Sequence, residues 1–84
     1  MLKSVSNCIN VMISGKDKFK TGNHRAERYS DGTIAYYYHD TAVCVVSRGR
    51  VEYNNGGWDT FSTSRTLSSY AEYYGGDWKK QVNK

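Results

Sequence analysis

Short runs of β-branched and aromatic residues recur along the chain, and turn signals rich in Gly, Asn and Asp separate them at short intervals. Such spacing predicts an antiparallel meander of strands. The runs place five strands at about residues 7–14, 24–29, 33–39, 42–47 and 50–54. In the first run Ile9, Val11 and Ile13 recur at every second position, which is the pattern of a half-buried strand.

A helix is predicted after the strands, with Ser62 or Thr63 as its cap and Gly75 at its end. Four residues at the spacing i, i+3, i+4 and i+7 form its apolar stripe: Leu67, Tyr70, Ala71 and Tyr74. Residues 77–84 are compatible with a last strand or a loose basic arm. The sequence therefore predicts one α+β domain over residues 1–84, a small antiparallel sheet of four to five strands with this C-terminal-half helix packed on one face.

The turn positions decide which residues share a face of the sheet. A two-residue loop at Asp40-Thr41 predicts an inner face formed by Ile34, Tyr36, Tyr38, Val43 and Val45. With a second loop at Arg48-Gly49, the outer face is formed by Ala35, Tyr37, Cys44, Val46, Val51 and Tyr53. A register slip of one residue would exchange the two sets.

The charge is moderately basic, with 12 Lys and Arg against eight Asp and Glu, a net charge of +4. This balance is compatible with nucleic acid or acidic proteins as partners. It argues against mimicry of DNA, which needs a strongly acidic surface. No apolar run approaches the 18 residues of a membrane span, and the first residues lack the apolar segment of a secretory signal, so we expect no membrane partner.

The residues that catalysis or metal binding would need are few and scattered. Cys8, His24, His39 and Cys44 contain neither of the close pairs that are typical of zinc sites. The chain contains no phosphate-binding glycine loop, HExxH sequence or GxSxG sequence. The sequence therefore predicts no metal, no cofactor and no catalytic activity, with both cysteines as free thiols.

Exposed aromatic and basic residues are the candidates for partner binding. The predicted contact residues are Tyr37, Tyr53, Arg48, Arg50, Lys16, Lys18 and Lys20. Aromatic side chains on a sheet with basic neighbours stack unpaired bases, and Tyr and Arg also dominate hot spots between proteins. A homodimer that buries the outer face is a third interpretation.

The most distinctive stretch is GGWDTFSTSRTLS, residues 56–68. It resembles a GGWxTx[ST]T pattern found in small, mostly uncharacterised bacteriophage and prophage proteins, and the resemblance extends over about residues 34–67. Its physical interpretation is structural: the glycines turn the chain, Trp58 fills the core, and the Thr/Ser run begins a helix.

The resemblance implies a phage product that acts in the host bacterial cytoplasm. It implies, by analogy with anti-CRISPR proteins, a non-catalytic protein that inhibits a host defence or nucleic-acid-processing complex by covering its working surface. The expected partner is a host protein or nucleoprotein complex. The alternative is a protein that binds single-stranded nucleic acid directly through aromatic and basic residues of the sheet.

Overall fold

A five-stranded antiparallel sheet with three helices forms the fold, and the computed structural model describes residues 1–82. The elements in chain order are α1 (Lys3–Ile13), β1 (Lys18–Thr21), β2 (His24–Arg28), β3 (Ile34–Tyr38), β4 (Thr41–Ser47), β5 (Arg50–Tyr53), α2 (Phe61–Tyr74) and α3 (Trp78–Val82). The strands follow one another across the sheet in the order β1-β2-β3-β4-β5. The predicted α+β class, the antiparallel meander and the helix of the C-terminal half are confirmed.

The first predicted strand is wrong, because residues 3–13 form the helix α1. Its buried residues are Val5, Cys8, Ile9 and Met12, at the helical spacing i, i+3, i+4 and i+7. The alternation of Ile9, Val11 and Ile13 competes with this stripe in the sequence, yet Ile13 is 57% exposed. The helical stripe prevails because it buries four side chains against β1 and β2.

The predicted helix α2 is confirmed with an earlier beginning. Thr60 is the N-cap, and its hydroxyl oxygen accepts a hydrogen bond from the backbone N–H of Thr63 at 3.2 Å. Gly75 ends the helix with φ of 82°, as predicted. Leu67 and Tyr70 of the apolar stripe are completely buried.

The segment after Gly75 is neither a strand nor a loose arm. Residues 78–82 form the short helix α3, which lies against the edge strand β5. The Gln81 side-chain carbonyl accepts a hydrogen bond from the backbone N–H of Tyr53 at 2.8 Å. This contact satisfies an edge donor that would otherwise be available to another chain. Residues 83 and 84 of the predicted arm lie outside the described residues.

The predicted faces of β4 and β5 are exchanged. The β3–β4 turn is His39-Asp40, which pairs Tyr38 with Thr41, and a bulge at Val43 then pairs Tyr36 with Cys44. The turn lies one residue earlier than predicted, which shifts the pairing by two residues and by itself leaves each residue of β4 on its predicted face. The extra residue of the bulge shifts the pairing by one residue and therefore reverses the faces of the residues that follow it. The face assigned to Cys44, Val45, Val46, Val51 and Tyr53 was therefore wrong, while Ile34, Tyr36, Tyr38, Val43, Ala35 and Tyr37 lie where predicted.

The core is built on one row of side chains that crosses all five strands: Phe19, Ala26, Tyr36, Cys44 and Tyr53. Val5, Cys8, Ile9 and Met12 of α1 and Leu67 and Tyr70 of α2 pack against this row. Both helices thus lie on the same face of the sheet. The ring of Tyr36 lies 4.7 Å from that of Tyr70, and its hydroxyl hydrogen-bonds to the hydroxyl of Tyr74.

The two buried phenols of this core differ in their hydrogen bonds, and the difference predicts opposite effects of one substitution. The Tyr70 hydroxyl lies beside the Cys8 thiol without a hydrogen-bond partner of ordinary geometry among residues 1–82. Tyr70→Phe is therefore expected to raise the free energy of unfolding by about 1 kcal/mol. Tyr36→Phe should lower it by about 1–2 kcal/mol, because the Tyr74 hydroxyl loses its partner. Urea unfolding of both variants measures this, and midpoints that move in the same direction would contradict it.

Candidate functional site

One face of the sheet carries no helix of residues 1–82, because α1 and α2 both pack on the other face. We call this surface the open face. Register places on it the alternating residues of all five strands: Lys18, Lys20, Arg25, Glu27, Ala35, Tyr37, Ala42, Val45, Ser47, Arg50 and Glu52. The open face is therefore the broadest part of the described chain whose side chains are positioned by rigid strands and left without a covering layer.

Most of the predicted contact residues lie on or beside the open face. Those on it are Tyr37, Lys18, Lys20 and Arg50. Arg48 is exposed at the tip of the β4–β5 turn with φ of 47°, and Lys16 is exposed in the segment before β1. Arg48 and Arg50 lie at the opposite end of the sheet from Tyr37, because the two hairpins that hold them turn at opposite ends.

Tyr53 was wrong as a contact residue, since it is only 5% exposed and belongs to the core row. Its hydroxyl donates a hydrogen bond to the Gly75 carbonyl at 2.5 Å. Burial raises the pKa of Tyr53 to about 12. The cause of the error is the bulge in β4, which turns the alternate residues of β5 toward the helices.

Arg25 is the central charged residue of the open face, and sequence reasoning missed it. Its guanidinium lies 4.0 Å from the centre of the Tyr37 ring, which is the distance of a cation–π contact. It also pairs with Glu27 at 3.0 Å and with Asp40 at 3.5 Å. The observed pairing of β2 with β3 places Arg25 directly opposite Tyr37, whereas the two-residue Asp31-Gly32 loop that the sequence favours would place it opposite Tyr38.

A second contact fixes Tyr37 from the other end of the open face. Its hydroxyl and the Tyr29 hydroxyl hydrogen-bond at 2.5 Å, and this bond raises the pKa of Tyr29. Ala35 lies between the two tyrosines in register and is only 4% exposed. The Tyr37 ring is thus held by a cation, a hydroxyl and a small neighbour, so it reaches a partner already ordered.

The charge of the open face is positive. Lys18, Lys20, Arg25 and Arg50 contribute four positive charges, and Glu27 and Glu52 contribute two negative ones. The charge of Arg25 is partly neutralised by its ion pairs with carboxylates. Lys18 and Lys20, in contrast, are exposed on the edge strand β1. This distribution favours approach to an acidic surface.

A cavity of about 560 Å³ between the β3–β4 turn and the loop before α2 is a second candidate site. Its walls include Tyr38, His39, Val43, Asn55, Trp58 and Thr63. Trp58 is 64% exposed, so the prediction that it fills the core was wrong.

The glycines before Trp58 explain its position. Gly56 and Gly57 have φ of 61° and 85°, and they turn the chain outward after β5. A Cβ on Gly56 would lie 2.7 Å from the Thr41 side chain, so only glycine fits this approach. In the motif of residues 56–68, the prediction that the Thr/Ser run begins a helix is confirmed by the Thr60 cap. The Trp58 side chain of the same motif faces solvent at the cavity.

Three neighbouring rings, tilted against one another, lie at one side of the cavity. The Tyr38 ring lies 4.9 Å from His24 and 4.4 Å from His39. Burial, and then the nearby His39, lower the pKa of His24. His24 is therefore neutral over a wider pH range than an exposed histidine.

The thiols and other titratable groups form no centre of their own in the described chain. Cys8 and Cys44 are free and buried. Burial raises the pKa of Cys8 and raises that of Cys44 to about 12, so both are protonated at neutral pH. Within residues 1–82 no three His, Cys, Asp or Glu side chains come together as a metal site. Over the same range, none of the helices has the length and apolar character to cross a membrane.

Comparison with known proteins finds no protein-family profile, no curated protein and no solved structure that matches the chain. The open face and the cavity are accordingly interpreted from their own geometry.

Proposed function

We propose that this protein is a phage-encoded, non-catalytic inhibitor that docks its open face on an acidic surface of a host defence or nucleic-acid-processing complex. The observation that carries the proposal is the bare sheet face with an ordered Arg25–Tyr37 pair at one end. Tyr and Arg are the residues that most often dominate the energy of protein interfaces. A rigid face of this kind inhibits by occlusion, since it needs no reaction and no moving part.

The geometry of Tyr37 favours a protein partner over an unpaired base at this position. Stacking of a base needs a bare ring face. The Arg25 guanidinium occupies one face of the Tyr37 ring, and the hydroxyl is engaged by Tyr29. An acidic side chain of a partner protein can still reach Arg25, Lys18 and Lys20 from above the sheet.

The resemblance of residues 34–67 to phage products supports the remaining part of the proposal. Small phage proteins of this kind act inside the infected cell, so the proposed site of action is the host bacterial cytoplasm. The partner would be a host protein or nucleoprotein complex whose working surface carries acidic residues.

A second candidate function is direct binding of single-stranded nucleic acid. One observation favours it: Lys18, Lys20 and Arg25 lie next to one another on the open face, across β1 and β2. Neighbouring cations of this kind can contact the phosphates of a nucleic-acid backbone. Binding of this kind falls steeply with salt, because each phosphate contact releases counterions.

A tagged pulldown from bacterial lysate, with and without nuclease, separates the two functions. The inhibitor predicts one stoichiometric host protein that survives nuclease and is lost from the variant with Lys18→Glu and Lys20→Glu. Direct binding predicts many nucleic-acid-associated proteins that disappear on nuclease treatment. A captured protein that the variant retains would place the interface elsewhere and contradict the proposed docking face.

A further inference from the structure

We propose that the cavity between the β3–β4 turn and the loop before α2 is a second binding site, and that it receives a nucleobase. This inference goes beyond the proposed function, because the cavity is lined by residues that do not belong to the open face. Its volume of about 560 Å³ lies within the range of small-molecule sites, which is roughly 300–1,000 Å³.

The walls of the cavity offer unoccupied aromatic surface. Trp58 is the bulkier of the two most exposed aromatic residues of residues 1–82, and its indole lines the cavity. Tyr38 and His39 line it as well, with their ring centres 4.4 Å apart and their planes inclined at 53°. In contrast to Tyr37, Trp58 has no cation within reach of its ring in the described chain. A flat ring can therefore stack on Trp58.

The polar groups of the wall suit the edge of a base, which carries both donors and acceptors. The Asn55 side-chain carbonyl accepts a hydrogen bond from the Gly57 N–H at 2.9 Å, which orients the amide and leaves its NH₂ group to donate. Thr63 accepts from the Thr60 hydroxyl at 2.9 Å, so its own hydroxyl hydrogen is available to donate. The exposed Asp40 carboxylate supplies an acceptor.

The charges around the cavity argue for a base inside and a phosphate outside. Asp40 is among the lining residues, and no Lys or Arg is. The cation lies at the rim, where Arg25 pairs with Asp40 at 3.5 Å and reaches the His39 carbonyl at 3.5 Å. A free phosphate or other compact anion would meet the Asp40 carboxylate and no Lys or Arg in the cavity itself, whereas a base can enter the cavity with its phosphate outside, near Arg25.

The same base can come from two sources, a free nucleoside or nucleotide and an unpaired position of a single strand. Binding to a strand would bring further phosphates over Lys20, which lies opposite Arg25 in register. Oligonucleotides would then bind more tightly than mononucleotides and lose affinity as salt increases. If a free nucleotide is the natural ligand, mononucleotides and oligonucleotides should bind with equal affinity.

Trp58 provides the reporter for the experiment. The chain has two tryptophans, and Trp78 lies away from the cavity, where its N–H donates to the Ser68 hydroxyl at 3.1 Å. Trp78→Phe leaves the Trp58 indole as the sole tryptophan fluorophore. Adenosine, guanosine, cytidine and uridine, their monophosphates, and short oligouridine and oligothymidine strands serve as probes. We expect saturable quenching by at least one base.

Calorimetry in the natural sequence then tests the stacking directly. Trp58→Ala is expected to weaken binding about 10- to 100-fold, from the usual strength of a base on an aromatic ring. The matched control is Phe61→Ala, because Phe61 is 77% exposed, lies three residues away and does not line this cavity. It should leave the affinity unchanged, and circular dichroism of both variants verifies their fold.

Three results would overturn the proposal: no quenching by any base-bearing probe at millimolar concentration, equal losses from Trp58→Ala and Phe61→Ala, or binding of tyrosine and tryptophan amides in place of bases. Failure here is distinguishable from failure of the proposed function. Lys18→Glu with Lys20→Glu should leave nucleoside binding intact, and Trp58→Ala should leave the pulldown through the open face intact.

Discussion

Tyr36→Ala is expected to unfold the protein at room temperature or leave it barely folded, whereas Tyr37→Ala should leave it folded. Tyr36 is completely buried in the middle of the core row, and its removal leaves a cavity beneath two helices. Truncation of a buried aromatic costs about 3–5 kcal/mol, against a total stability for small domains of about 5–15 kcal/mol. Tyr37, its neighbour in sequence, lies on the open face and loses only its contacts with Arg25 and Tyr29.

Thermal unfolding followed by circular dichroism measures this contrast. We expect Tyr36→Ala to lose most of its cooperative transition and Tyr37→Ala to retain it, with a loss of about 1 kcal/mol. The open face makes the converse prediction for docking, since Tyr37→Ala should lower affinity for the host partner by a factor of about 30 or more. Equal loss of stability in both variants would contradict the assignment of the two faces.

The protein is expected to unfold in alkali, because its buried thiol and phenols ionise more readily in the unfolded chain than in the native state. Burial raises the pKa of Cys44 from 9.0 to about 12 and raises those of Tyr36 and Tyr70 above 10.0. The native state therefore holds these protons more tightly than the unfolded chain. The stability they contribute is complete below pH 9 and decreases as the pH rises toward 12, by about 1.4 kcal/mol per pH unit for each group.

Tyrosinate absorbance and circular dichroism, recorded together across the titration, test this expectation. The buried phenols of Tyr36 and Tyr70 should ionise only with cooperative unfolding. Cys44→Ala removes one of the two buried thiols, so the stability of this variant should decline less steeply between pH 9 and pH 10 than that of the natural sequence. A smooth titration of all eight tyrosines with secondary structure retained would contradict it.

The strands β2 to β5 and the helix α2 were predictable because their signals agree with one another, whereas the short polar strand β1 is not among the predicted strands. Turn residues, β-branched runs and the spacing of Leu67 and Tyr70 all point to the observed elements. The helix α1 was missed because Ile9, Val11 and Ile13 recur at the two-residue period of a strand. The same segment also contains the buried helical stripe, which repeats every three to four residues. Tertiary contact with β1 and β2 decides between the two patterns, and a local pattern does not contain that contact.

The composition of the open face depends on a feature that local sequence does not reveal. A single bulge residue, Val43, reverses the faces of β5 relative to β3, so Tyr53 lies in the core and Arg50 on the open face. Tyr37 was predictable because β3 precedes the bulge. The Asp31-Gly32 turn signal does not reveal Arg25, because a two-residue loop there would pair Arg25 with Tyr38, whereas the observed three-residue loop, residues 30–32, pairs it with Tyr37.

Trp58 illustrates a different limit. A tryptophan in a short chain is expected in the core, since large aromatic side chains dominate core energetics. Here the two preceding glycines turn the chain away from the sheet before the indole is placed, and the helix cap at Thr60 fixes the segment. The exposure of Trp58 follows from those backbone angles rather than from its own hydrophobicity.

The measurement that tests the docking face most directly compares two charge-reversal variants against the host protein captured by the tagged chain. One variant carries Lys18→Glu and Lys20→Glu on the open face. The other carries Lys79→Glu and Lys80→Glu, which make the same change in net charge at exposed positions of α3.

Calorimetry at a fixed salt concentration measures the affinity of both variants for the host protein. Because the two variants have the same net charge, a difference in affinity reports the position of the reversed charges. The proposed function predicts that the open-face variant binds at least about tenfold more weakly, while the α3 variant stays within a factor of about three. Circular dichroism of both variants verifies that the fold is kept. Equal loss of affinity in the two variants would show that the interaction depends on net charge and not on the open face. Full affinity of the open-face variant would show that the host protein docks elsewhere.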